Sequence, residues 1–445
     1  MDNSFLINNT KVISAGQQSI TAVLFSAGRI VALGDKATAA AKSIETVNII
    51  DGSGCTLIPG LIDAHCHISF DRPKSNDELF FHRRPGLASI IASVNAQKVL
   101  RSGVTSFFDA DCIFDVGVDL RDAMEAGVVQ GPRMATGGNV LITSVGGTAG
   151  RLLPDSGKLG YAVIVQTADE IVREIRSQVK GGCDWIKVHV SGLPVRKTPK
   201  HGDGEIQAWT LDELRLVCDT AHALGIPVVG HCRNASSTRD AALAGFDMIL
   251  HASYMDEEAL EAVIDKAVPL VPTFTFLANL IEHGDKIGSN PALQKIFKNE
   301  ISQSAAMIRR AYDAGVPLMC GSESGFSVTP YGEWHYREMG LFVEHLGLTP
   351  LEAIACATEA GASIFGLQKE LGRIEENYIA DLVLVEGDLE KDISLMGHKK
   401  NIKAVFKAGK LVNTDQPLPS DWSIPGWQVG QYSNDLLTFE LAQNK

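Results

Sequence analysis

GLIDAHCHI, residues 60–68, decides how the rest of this sequence is read. An apolar run ends in two histidines, His65 and His67, that flank Cys66. In an extended strand, residues i and i+2 share a face, so the two imidazoles point one way and the thiol the other. Three readings are open at this point: a metal-binding pair, a redox cysteine, or a buried strand that carries structural histidines. The eight cysteines weaken the second reading, because they are scattered and form no CxxC pair. In a reducing compartment they are expected to be free thiols.

Working outward, similar apolar runs recur. LIPGLIDAHCH, TSFFDAD, RMATGG, DWIKVHVSG, PVVGHC, MILHAS, PLVPTFTF and PLMCGSE read as strands. Helical patterns follow most of them, at 87–102, 116–126, 168–180, 210–224, 235–244, 256–266, 291–314 and 333–346. Gly103, Gly127, Gly181, Gly225, Gly245 and Gly315 fall just past helical stretches, where a left-handed cap is wanted. Eight strand–helix units predict an α/β fold, a (β/α)8 TIM barrel over residues 59–365, with a doubly wound open sheet as the alternative. Both chain ends have a different texture of short alternating strands and turn glycines. Residues 1–58 and 366–415 are therefore expected to build one small β-sandwich domain. Residues 416–445, with PLPSDWSIPGW, read as a C-terminal arm against the barrel or another subunit.

Barrel active sites lie at the C-terminal ends of the strands. His65, His67, Lys187, His231, His251 and Glu323 all fall at such ends, with His189 two residues after Lys187 and Arg233 two after His231. Each alone has an ordinary explanation: a strand histidine can be a hydrogen-bonded structural residue, and a strand-end carboxylate can be a helix cap. A lysine inside an apolar strand is harder to explain, since desolvating an ammonium is costly. Together they indicate a divalent-metal site of neutral imidazoles and a carboxylate, with zinc first and manganese, cobalt or iron as alternatives.

These segments, in this order, resemble the amidohydrolase superfamily of metal-dependent hydrolases over roughly residues 1–413. The carriers are GRIVALG, DGSGCTLIPGLIDAHCH, GVTSFFD, DWIKVHVSG, PVVGHC, AGFDMILHAS and IADLVLVEGDL. The stretch ESGFSVTPYGEWHYREMGLFVEHLG is similar to the subgroup of Xaa-Pro dipeptidases, ochratoxin-type carboxypeptidases, imidazolone-ring hydrolases, and phenylurea and molinate hydrolases. The resemblance implies that His65 and His67 hold one metal and that His231 and His251 hold a second. It implies that Lys187 is a carbamate bridging the two. Glu323 stands where the family has aspartate, one methylene longer, which moves the carboxylate out by about 1.5 Å. Thr148 in VGGTAG stands where several relatives have histidine, and FFDAD lacks an arginine that relatives carry before the aspartate.

The implied chemistry is cleavage of a C–N bond (amide, urea or carbamate) by metal-activated water. Glu323 is expected to carry the proton, with His251 or His189 steadying the oxyanion. Arg233, Tyr331 and His335 are the expected substrate contacts, with Glu333 and Trp334 near the mouth. Competing readings are a dipeptidase or carboxypeptidase on N-acyl amino acids, a ring deaminase or cyclic-amide hydrolase, and a non-enzymatic assembly protein. The last typically loses ligands that are present here. A formal net charge of −13 argues against nucleic acid or an anionic membrane as partner. With no leader or long apolar span apparent, a cytoplasmic, homo-oligomeric enzyme acting on a small molecule is expected.

Overall fold

The structure, a computed structural model, describes residues 4–75, 78, 84–147, 155, 158–193 and 204–419. The strands are β1 (Ser4–Ser14), β2 (Gln17–Ser26), β3 (Arg29–Leu33), β4 (Val47–Asp51), β5 (Cys55–Pro59), β6 (Leu61–Cys66), β7 (Val104–Asp109), β8 (Arg133–Thr136), β9 (Val140–Ile142), β10 (Lys158–Leu159), β11 (Ala162–Ile164), β12 (Ile186–His189), β13 (Ser191–Gly192), β14 (Ile206–Gln207), β15 (Val228–Cys232), β16 (Met248–His251), β17 (Leu270–Val271), β18 (Leu382–Glu386), β19 (Ile402–Lys407) and β20 (Lys410–Leu411). The helices are α1 (Gly34–Ala41), α2 (Pro85–Arg101), α3 (Val116–Glu125), α4 (Ala168–Gly181), α5 (Leu211–His222), α6 (Ala235–Ala244), α7 (Glu257–Lys266), α8 (Phe274–His283), α9 (Pro291–Asp313), α10 (Arg337–Leu341) and α11 (Pro350–Cys356).

One eight-stranded sheet joins the two ends of the chain, in the order β20-β19-β18-β5-β1-β2-β3, with β4 on β1. Phe406 of β19 meets Phe5 of β1 and Phe25 of β2, with ring centroids 5.0 and 4.8 Å apart. In a flat sheet β1 and β19, three strand spacings apart, would lie about 14 Å from each other. The expected sandwich is thus a single sheet curled over its own apolar core, which also holds Ile7, Val23, Leu57, Leu382 and Leu384.

The remaining strands are mostly parallel and alternate with helices. They fall into a three-stranded sheet, β6-β7-β8, a seven-stranded sheet, β10-β11-β9-β12-β15-β16-β17, and a two-stranded antiparallel pair, β13-β14. The break lies at Gly137 and Gly138, between β8 and β9. A Cβ on Gly137 would sit 2.1 Å from the Ala110 carbonyl oxygen, and Gly138 has φ +64. The chain turns there, so β8 pairs with β7 while β9 pairs with β12. On the far side, the expected strand PLMCGSE is an extended segment held by single bridges. Leu270 N–H donates to Pro317 O and Met319 N–H to Leu270 O, both at 2.9 Å. Glu323 N–H then donates to His65 O, and His67 N–H to Ser324 O, both at 2.7 Å. This segment therefore runs between β17 and β6.

Two expectations shift for local reasons. The alternation in PLVPTFTF suggests a long strand, but β17 ends at Val271, before Pro272, and Phe274 opens α8. Gly181 is still helical, and its neighbour Gly182, φ +96, makes the left-handed cap of α4. That helix, α5 and α11 each open on a capping box, Thr167–Glu170, Thr210–Glu213 and Thr349–Glu352.

Asp109 ties β7 to β6 by accepting the Ile68 N–H at 2.8 Å. Burial pushes its carboxyl up to about 7 from 3.8. Between those values the folded protein holds a proton that the unfolded chain has released, so stability falls as pH rises through this window. Asp109→Asn is expected to flatten that fall by up to about 1.4 kcal/mol per pH unit, read from urea midpoints at pH 4.5 to 7.

Candidate metal centre

The C-terminal ends of β6, β12, β15 and β16 converge on a row of imidazoles. His67 lies against His65 (ring centroids 4.9 Å), His65 against His251 (5.3 Å), His251 against His231 (4.5 Å) and His231 against His189 (4.4 Å). All five are buried. One ligand atom from each of His65, His67 and Glu323 lies within 4.8 Å of the other two. Cys66 is not in this group; it sits with Asp63 and His335, as its outward parity requires.

Lys187 is among the most deeply buried large side chains, at 1% exposure, and forms no ion pair with any described carboxylate. Burial lowers its pKa. It also lies close enough to the row to depress the pKa of His65, His189, His231 and His251. Burial is the first cause for those imidazoles: it holds His65 and His251 well below 6.5 and brings His231 down to about 3. They are neutral at pH 7, the form that ligates a metal. His67 differs, because Asp111 outweighs burial and raises it.

Three residues around the row carry no expectation from the sequence. Asp111 places one oxygen 2.5 Å from His67 Nδ1 and the other 3.5 Å from His189 Nε2. Glu205 lies 2.9 Å from His231 Nε2, and although burial raises its carboxyl, His231 and Arg233 hold it at about 2. Thr273 lies 2.5 Å from His251 Nδ1 and gives its own hydroxyl hydrogen to Pro272 O at 2.7 Å. With that hydrogen committed, Thr273 accepts from Nδ1–H, which leaves the lone pair on His251 Nε2. That Nε2 is buried without a hydrogen-bond partner, as is His65 Nδ1. Three orphaned imidazole nitrogens (His65 Nδ1, His189 Nδ1 and His251 Nε2), a fourth beside a carboxylate (His67 Nδ1), and a desolvated lysine are a donor set that fits a divalent ion.

Glu323 is half-buried, and burial pushes its carboxyl up to about 7. Its backbone is left-handed at φ +53, held by its N–H to His65 O and by Thr329, whose hydroxyl donates to its carbonyl at 2.6 Å. His251 and Ala252 also have positive φ, +70 and +50. Such conformations persist only where the surroundings over-determine them, and they cluster at functional sites.

The expected substrate contacts each have partners inside the protein. Arg233 gives Nε and Nη2 to Glu300 at 2.9 and 2.6 Å, with Glu205 3.8 Å from Nη1. Its charge is matched inside the protein by Glu300. Tyr331 donates its hydroxyl to His67 O at 2.7 Å and accepts from Asp71 N–H. His335 has Nδ1 2.6 Å from Asp63 and accepts Gly332 N–H at Nε2. Both are buried scaffold residues. Glu333 and Trp334 line a groove beside the α2 terminus and β20. Thr148 and residues 420–445 of the arm lie outside the described residues.

Asp63 is the hub of this scaffold. One oxygen accepts the N–H groups of His65 and Ser322, and the other the Ser322 hydroxyl and His335. It thereby locks β6 to the segment that carries Glu323. Asp63→Ala strands four buried donors and is expected to cost about 3 kcal/mol or more, measured by urea unfolding.

Residues 56–412 match the model of the amidohydrolase family, and the chain belongs to that family. It is 27% identical to ochratoxinase of Aspergillus niger over 380 residues, covering 80% of this chain and 75% of that protein. It is 23% identical to imidazolonepropionase of Hahella chejuensis, covering 76% and 80% of the two chains. Among solved structures, a Xaa-Pro dipeptidase with bound methionine superposes with a TM-score of 0.76 at 26% identity, over 92% of this chain and all of that one. Molinate hydrolase, at 20% identity and a TM-score of 0.75 over 96% and 99% of the two chains, shares the fold. No helix among the described residues is long and apolar enough to cross a membrane.

Proposed function

We propose that the protein is a metal-dependent hydrolase of C–N bonds in a small amide, urea or carbamate. The observation that carries this reading is the row of five buried imidazoles ending on Glu323, with Lys187 beside it. The alternating strands and helices around it are read as the (β/α)8 barrel of the family over residues 59–365, and the curled sheet as its second domain. His65, His67 and Glu323 would hold one divalent ion; His231 and His251 would hold a second, with Lys187 as a bridging carbamate. A divalent ion bound there supplies a water of lowered pKa and a polarised carbonyl.

The protein's own groups do the rest. Glu323 takes the proton of the attacking water and returns it to the leaving nitrogen. His189, fixed between Asp111 and the His231 ring with its Nδ1 unpartnered, is placed to accept a hydrogen bond from a substrate N–H. With Arg233 neutralised by Glu300, none of the expected contacts offers a free cation for a carboxylate. That favours a neutral substrate over N-acyl amino acids. The partner is a small molecule, and the enzyme is a homo-oligomer.

Metal analysis of the purified protein, with a hydrolysis screen of phenylureas, anilides and thiocarbamates beside acyl-prolines, tests this. Stoichiometric zinc, manganese, cobalt or iron and turnover of a neutral substrate are expected. Protein free of stoichiometric metal would favour the non-enzymatic alternative, and ammonia release from ring substrates the deaminase.

A further inference from the structure

Thr273 is the residue before α8, the N-cap position, yet its side chain makes no capping bond. A threonine there ordinarily accepts an N–H from the first turn of its own helix. Here the hydroxyl faces the other way and is used between His251 Nδ1 and Pro272 O. The orphaned donors of α8 go instead to a distant residue. Glu338 of α10, fully buried, accepts Phe274 N–H on one oxygen and Thr275 N–H on the other, both at 2.8 Å. The second oxygen also accepts the Thr275 hydroxyl at 2.5 Å. Thr273 itself is fully buried and left-handed at φ +55, a conformation that a β-branched residue resists. It must be held there by its surroundings.

We propose that Glu338 is a positioning residue of the metal centre: by capping α8 in place of Thr273, it releases the Thr273 hydroxyl to orient His251. This rests on the reading of His251 as a metal ligand. Glu338 touches neither substrate nor the imidazole. It acts through two peptide units, by fixing where the strained threonine sits and so which nitrogen His251 turns toward its neighbours. A purely structural carboxylate would stabilise α8 and leave the ligand geometry alone.

The test is the zinc dissociation constant of the full-length protein, measured by chelator competition, for wild type, Glu338→Gln, Thr273→Val and the double variant. Glu338→Gln keeps the shape but replaces one acceptor oxygen by a donor. Each single variant is expected to weaken zinc binding by about 10-fold or more. Because both act along one path, the double variant should be no weaker than the weaker single. Asn290→Ala, which removes the side-chain cap of α9, is the structural control and should lower stability without moving zinc affinity.

Wild-type zinc affinity in Glu338→Gln would overturn the proposal, as would additive losses in the double variant. If Glu338→Gln does not fold, Glu338→Asp decides on the same scale, since a carboxylate withdrawn by about 1.5 Å should weaken zinc binding in step with its loss of the α8 cap. Zinc affinity unchanged in Glu338→Asp would then overturn the proposal. A wild-type protein that binds no zinc or other divalent ion overturns the metal reading itself, an outcome distinct from wild-type binding that Glu338 does not influence.

Discussion

Glu323→Gln is expected to lower turnover by two or more orders of magnitude while metal content is largely kept. The amide is nearly isosteric and still offers an oxygen to an ion, but it cannot take and return a proton. The position is demanding because the backbone is left-handed at φ +53, anchored to His65 O on one side and Thr329 on the other. The side chain therefore leaves from a fixed point. Glu323→Asp should consequently behave as an impaired variant, not as a restoration: its carboxylate would fall about 1.5 Å short of the His65–His67 pair. Turnover, metal content and the acid limb of the pH–rate profile, measured on the same preparations, separate proton transfer from ligation. Full activity in Glu323→Gln would remove Glu323 as the base.

The row of imidazoles was legible because strands have period two and strand ends carry the site. His65 with His67 and Lys187 with His189 share faces by parity alone, and the sequence order of the motifs supplied the rest. The supporting acids were not legible for the same reason. Glu205 belongs to a connecting segment with no periodicity, and it reaches His231 only through the fold. Asp111 had a faint signal, since it stands two residues beyond Asp109 on the same parity in FFDAD. Thr273 was hidden by TFTF, whose alternation imitates a strand, while the cap that makes a helix there comes from Glu338. For His335 and Tyr331, adjacency in sequence to the Glu323 loop does not say which way a side chain turns. Both turn inward, one to Asp63 and the other to His67 O.

Lys187 gives the second large effect, and its sign depends on which protein is measured. As a bare ammonium it is a destabilising group, fully buried with no ion pair among the described residues, and burial has already lowered its pKa. Replacing it by methionine, of similar length and apolar, should make the metal-free protein more stable by about 1 kcal/mol or more. As a carbamate the same side chain would be an anion beside the candidate cation sites, and its loss should do the opposite to the loaded enzyme. Lys187→Met is then expected to lose at least half of the bound metal and two or more orders of magnitude in turnover. The two halves of this result exclude each other's trivial explanations: a variant that is simply misfolded cannot gain stability without metal, and a lysine that is merely buried cannot cost metal when it is removed. Intact-mass measurement under non-denaturing conditions adds the direct reading, an increment of one CO2 on wild type that Lys187→Met lacks. A variant that keeps its full metal complement and its turnover would show that His65, His67, His231 and His251 hold the site without any contribution from β12, and that the lysine is there for packing alone.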